Sequence, residues 1–144
     1  MSAQDSANLV AILYQGFNDR SFEQVASIYT DDCEYTNVPA GMTLRGHEGV
    51  LQSLQGWAAA FPDSKLEVHN VIATDDMVAV EFTGRGKQTG PLATPAGMIP
   101  ATGRPIELRL VEVHQLRGGK ISATRTYYDA MSMMQQLGLV PAMG

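Results

Sequence analysis

Leu9, Ile12, Leu13, Gly16 and Phe17 recur at the i, i+3, i+4, i+7, i+8 spacing of one buried helical stripe. Asn18-Asp19-Arg20 ends that helix, and Ser21-Phe22-Glu23-Gln24 reads as a capping box opening a second short helix through Val25, Ile28 and Tyr29. Asp31-Asp32 breaks it, and Cys33 to Val38 follows as a short strand with Cys33, Tyr35 and Asn37 on one face. Pro39-Ala40-Gly41 is a loop. From His47 the helical period returns: Val50, Leu51, Leu54, Trp57, Ala58 and Phe61 form a second long stripe, stopped at Pro62-Asp63.

Strand patterns then run up to Asp129. Lys65 to Ala73 and Met77 to Thr83 pair about Thr74-Asp75-Asp76, and Ile106 to Leu116 pairs with Ile121 to Tyr128 about Arg117-Gly118-Gly119-Lys120. Between the hairpins, Gly84 to Pro105 is a Gly- and Pro-rich stretch, long enough for a binding loop even if its ends extend the strands. A final short helix carries Met133, Met134 and Leu137, with Asp129 placed to cap it. Helices first and antiparallel strands afterwards is an α+β order. It predicts one domain over residues 1–144, a curved antiparallel sheet of four to six strands wrapped round the helices as a cone with an internal pocket.

Composition narrows the function classes. Hydrophobic residues are 44% and charged residues 17%, which excludes a disordered or fibrous chain. A net charge of −5 argues against nucleic acid or an anionic membrane as partner. No apolar run is long enough to span a bilayer, and the start of the chain lacks the pattern of a secretory signal. The single cysteine, Cys33, fits a reducing cytoplasm. His47, His69 and His114 have no ligand spacing, so no metal is expected. Gly84-Arg85-Gly86-Lys87-Gln88-Thr89-Gly90 matches neither the dinucleotide nor the P-loop fingerprint. The eight methionines read as core filler.

The chemistry concentrates on Ile106 to Leu116. Leu108, Leu110, Glu112, His114 and Leu116 share one face, and Glu107, Arg109, Val111, Val113 and Gln115 the other. Both faces are mixed, so one would line a pocket and the other could meet a second subunit. A two-residue Gly118-Gly119 turn sets Glu112 beside Arg125 as an ion pair. A three-residue turn sets Glu112 beside Thr126 and His114 beside Thr124. In an apolar pocket the charged form of Glu112 is disfavoured, which suits proton transfer. The plainer alternatives are a salt-bridged sheet glutamate and a structural histidine. Tyr14, Tyr35, Trp57 and Tyr128 could line a pocket for flat ligands or simply fill the core.

Ala60-Phe61-Pro62-Asp63, Gly90-Pro91-Leu92, Ala101-Thr102-Gly103-Arg104, Gly119-Lys120-Ile121 and Gln136-Leu137-Gly138 together resemble the SnoaL-like polyketide cyclases of the NTF2-like superfamily. The resemblance covers nearly the whole chain. It implies a homodimer joined through the sheet, one pocket per subunit for a small hydrophobic substrate, and no metal or organic cofactor. It also implies an intramolecular aldol ring closure in which the protein supplies orientation and one acid–base group. The family's catalytic Asp falls on Thr126, its companion His on Glu112 and its Asn on Asn37, while Gln88 stands where relatives often carry His. The expectation is that Glu112 replaces the Asp as general acid–base, with His114 and Asn37 orienting a substrate oxygen. Tyr14, Tyr35, Trp57, Gln88, Thr126 and Tyr128 would contact substrate. A cofactor-free hydroxylase-like enzyme and a non-catalytic binder of hydrophobic metabolites are the alternatives.

Overall fold

The computed structural model describes residues 1–141. Helix α1 (Ala3–Asn18) buries Val10, Leu13, Tyr14, Gly16 and Phe17, so the expected stripe holds at its end but is rotated by one residue at its start, where Leu9 and Ile12 are only half-buried. Its first turn is closed by a reciprocal cap. The Ser2 hydroxyl accepts the Asp5 N–H and the Asp5 carboxylate accepts the Ser2 N–H, each at 3.0 Å. The box read at Ser21 does not form before α2 (Phe22–Ser27), because Ser21 has ψ 60° where Ser2 has an extended 169°. Gly16 lets the two helices touch: a Cβ there would stand 2.4 Å from Val25 Cγ2. Helix α2 ends before Ile28 and Tyr29, whose backbones are drawn into the sheet. The Ile121 N–H donates to the Ile28 carbonyl at 2.9 Å, and Tyr29 pairs with Ile121.

Strand β1 (Tyr29–Asn37) therefore begins four residues early and carries Asp31 and Asp32 as exposed strand residues. A short strand the pattern did not reveal, β2 (Met42–Arg45), pairs with it, and α3 (Gly46–Ala60) follows. Strands β3 (Lys65–Ala73) and β4 (Met77–Lys87) form the first expected hairpin. The Gly- and Pro-rich stretch shrinks to residues 88–104 and contains its own small hairpin, β5 (Leu92–Thr94) with β6 (Gly97–Ile99). Strands β7 (Pro105–Arg117) and β8 (Lys120–Tyr128) form the second, and Asp129 caps α4 (Ala130–Gln136) by accepting the Ser132 N–H.

The main sheet has six strands in the order β2-β1-β8-β7-β4-β3. It is mixed and not purely antiparallel, because β1 runs parallel to β8 while the other four pairings are antiparallel. The crossover from β1 through α3 to the rest of the sheet allows this pairing. Helix α1 packs on β3 and β4, and α3 on β1, so the helices cover one face. Two apolar clusters fill the space beneath them, with Trp57 and Leu110 packed against both.

Register across the sheet fixes the site. Arg117 pairs with Lys120 and Leu116 with Ile121, so the turn holds two residues, Gly118 and Gly119, at φ 60° and 78°. Ser122 then bulges, and from there Gln115 pairs with Ala123, His114 with Thr124 and Glu112 with Thr126. The chain combines the shorter turn with the pairing expected of the longer one. The Glu112–Arg125 ion pair does not form, since the bulge leaves Arg125 on the opposite face.

Candidate functional site

Two neighbouring rows of side chains cross the helix-covered face. Asn37, Thr126, Glu112 and Val80 make one row, and Tyr35, Thr124, His114 and Val78 the next. Tyr14 reaches this surface from α1, where its position one residue after Leu13 keeps it on the buried stripe.

Glu112 is only 4% exposed. Its Oε1 accepts the Tyr14 hydroxyl at 2.8 Å; its Oε2 accepts the Thr126 hydroxyl at 2.6 Å and the Tyr35 hydroxyl at 3.2 Å. Loss of hydration raises its pKa above the ordinary carboxylate value, and the three hydroxyl donors work against that rise without cancelling it. The same burial, with the carboxylate beside it, pushes the Tyr14 and Tyr35 hydroxyls well up. Both tyrosines stay protonated and serve as donors.

His114 is fully buried, and burial together with the charge of Arg125 pulls its pKa down to about 3. Its Nε2 lies 4.0 Å from Glu112 Oε1, a distance that alone would pass for an ion pair. The ring is neutral at physiological pH, so no ion pair exists there. The Tyr14 hydroxyl stands between them, 2.9 Å from Nε2. Nδ1 lies 2.8 Å from the Thr124 hydroxyl, which lies 2.8 Å from the Tyr29 hydroxyl.

The structure thus brings together Glu112, His114, Tyr14, Tyr35 and Thr126. Asn37 stands in the Glu112 row without bonding it; its Oδ1 accepts the Ala40 N–H at 3.2 Å. Tyr128 is partly buried farther along the same face, and Trp57 of α3, also partly buried, stacks on Phe61 with ring centroids 4.5 Å apart. Gln88 is elsewhere engaged. Fully buried, it donates to the Gly90 and Pro100 carbonyls and accepts from the Thr102 N–H and hydroxyl, which ties the 88–104 loop together. The sequence pattern marks Thr124 only as a neighbour of His114 and continues the second helix through Tyr29, so neither stands out as a site residue.

Two surface grooves of about 320 and 310 Å³ lie on the opposite side of the sheet. Arg109, Val111 and Tyr127 border the first and Gln115, Arg117 and Arg125 the second; neither is lined by Glu112. Among the described residues no cluster of His, Cys, Asp or Glu could hold a metal ion, and no helix is long and apolar enough to cross a membrane.

Helices covering one face of a mixed sheet, with polar side chains buried between them, define the NTF2-like, ketosteroid isomerase-like fold class. Within that class the chain belongs to the SnoaL-like polyketide cyclase family, whose profile matches residues 7–137. The fold is similar to that of a SnoaL-like polyketide cyclase candidate from Jannaschia sp. CCS1, with TM-score 0.84 and 20% identity over 96% of this chain and 95% of that one. IdmH of Streptomyces antibioticus, a candidate polyketide cyclase, is 28% identical over 92% of this chain and 97% of its own, with TM-score 0.74. AclR of Streptomyces galilaeus, a candidate hydroxylase, is 20% identical over all of this chain and 87% of its own, with TM-score 0.81. No curated protein matches the sequence significantly.

Proposed function

We propose that this protein is a cofactor-independent acid–base enzyme for a hydrophobic, polycyclic polyketide-like substrate, with Glu112 transferring the proton. One observation carries the reading: a buried carboxylate held by hydroxyls from α1, β1 and β8, with no cation bonded to it among the described residues. Its raised pKa brings it toward the range in which a carboxyl both accepts and returns a proton. In an aldol ring closure Glu112 takes the proton of an activated C–H, the resulting carbanion forms the new C–C bond at a carbonyl carbon, and the alkoxide recovers the proton. The bound geometry supplies much of the acceleration. Asn37 would hold a substrate oxygen, a role supported by its register beside Thr126 and Glu112. The assembly is a cytoplasmic homodimer joined through the outer sheet face, where Ile72, Val111, Val113 and Tyr127 offer apolar surface.

Incubation with a panel of polycyclic methyl-ester polyketides, read by mass spectrometry and chromatography, tests this. An isomer of unchanged mass is expected from the wild type and none from Glu112→Gln, with ligand binding kept within a few-fold. An active Gln variant ends the assignment. A non-catalytic binder is the second reading, favoured because Thr126 replaces the cyclase Asp and protein hydroxyls already occupy both Glu112 oxygens. It requires bound but unaltered ligand; an added oxygen would mark hydroxylase-like chemistry.

A further inference from the structure

The polar side chains behind Glu112 form a line with a direction. Tyr29, Thr124, His114, Tyr14 and Glu112 are joined by four successive contacts of 2.8, 2.8, 2.9 and 2.8 Å. Each contact needs one proton. With Glu112 ionised, Tyr14 must donate to it, because a carboxylate only accepts. Tyr14 has then used its proton, so the contact with His114 must be donated by Nε2–H. A neutral imidazole carries one N–H, which leaves Nδ1 bare and accepting from Thr124. Thr124 in turn accepts from Tyr29. All four contacts are made and no proton is left over.

The opposite direction fails at its far end. If Tyr14 donated to Nε2, the ring proton would sit on Nδ1 and point at Thr124. Thr124 and Tyr29 would then hold two protons for the single contact between them, and both residues are fully buried. One hydroxyl would be stranded without a partner, a costly state in the interior. Tyr29 has no other hydrogen-bond partner for its hydroxyl among the described residues.

We propose that Tyr29 and Thr124 are positioning residues that hold His114 as its Nε2–H tautomer and so aim the Tyr14 hydroxyl at Glu112. Both ring nitrogens of His114 are engaged by protein, so His114 acts on Glu112 through Tyr14 and does not itself contact substrate. The role assigned to the line rests on Glu112 being the acid–base group, but the tautomer does not. The titratable groups facing Glu112 are Tyr14 from α1, Tyr29 and Tyr35 from β1 and His114 from β7, with Arg125 of β8 acting on His114.

Two NMR measurements on the full chain test the proposal. In protein labelled with ¹⁵N-histidine, long-range proton–nitrogen correlations at neutral pH should show His114 Nε2 protonated and Nδ1 bare, with the signals assigned by their loss in His114→Gln. An Nδ1–H tautomer or an even mixture overturns the direction of the line. In protein labelled at the glutamate carboxyl carbon, Thr124→Val should shift the Glu112 titration midpoint upward, and Thr124→Ser should restore it. A folded Thr124→Val protein with an unmoved midpoint overturns the positioning role. If Thr124→Val does not fold, Tyr29→Phe takes its place with the same criterion. Wild-type protein that shows the expected tautomer but no turnover refutes the enzyme reading alone.

Discussion

Glu112 and Glu107 lie on one strand and differ in everything except their functional group. Glu107 is on the outer face with its side chain 63% exposed and bonded to Arg85 at 2.6 Å; Arg85 also holds Glu67 at 2.7 Å. Glu112 points the other way, is nearly sealed from water and meets only neutral hydroxyls. The arginine holds the Glu67 carboxyl below its ordinary pKa, while burial lifts that of Glu112. An exposed carboxylate with a cation is fixed as an anion and contributes little to stability. A buried carboxylate among hydroxyls keeps its proton available. The lesson is that the face of the sheet, and not the residue type, assigns the role.

The sharpest way to break the contrast is at Glu112 itself: Glu112→Gln is expected to lower turnover by roughly 10²–10⁴-fold, the usual weight of a positioned acid–base group. Tyr14→Phe comes next. It removes one hydroxyl that serves both Glu112 and His114, and chemical denaturation should show a loss of about 1–3 kcal/mol. Acid stability gives a third test. His114 has a folded pKa near 3 against an ordinary 6.5, so the unfolded chain binds the extra proton across that interval. The stability associated with the neutral ring is complete above pH 6.5 and is lost as pH falls toward 3, by up to about 1.4 kcal/mol per pH unit. Glu112 has the opposite sign, gaining stability as pH falls from its raised folded pKa to the ordinary 4.5, so the loss due to His114 stands unopposed by it below 4.5. His114→Gln should flatten the measured slope between pH 4.5 and 3. The smallest effect belongs to the outer face, where Arg85→Ala should leave the thermal midpoint unchanged within experimental scatter at physiological salt.

Much of this arrangement was legible in the chain. A two-residue strand period places Glu112 and His114 on one face whatever the register. The stripe containing Leu13 puts Tyr14 within its reach. The register itself was not decidable, because a turn length counts only the residues in the turn and a bulge adds one beyond it. Tyr29 was hidden by its neighbours: Val25 and Ile28 continue a helical spacing, and only the parallel pairing with β8 pulls Tyr29 into the sheet. Strand β2 is too short for a period to show. The role of Gln88 depends on carbonyls 2 to 12 residues away in a loop with no periodic pattern. The hydroxyls that meet Glu112 were not legible, because Tyr14, Tyr35 and Thr126 come from α1, β1 and β8, too far apart in sequence for a local pattern to join them.

Ser122 gives the hairpin one more residue than its partner strand can match, and the inward direction of Thr124 and Thr126 depends on that residue being looped out. Were Ser122 drawn into regular pairing with Gln115, the remainder of the strand would turn over about its axis. Arg125 would swing under the helices and both threonines would face solvent. Deleting the serine would instead leave Ala123 opposite Gln115 and Thr126 opposite Glu112, so this position should tolerate loss of its residue far better than loss of its bulge.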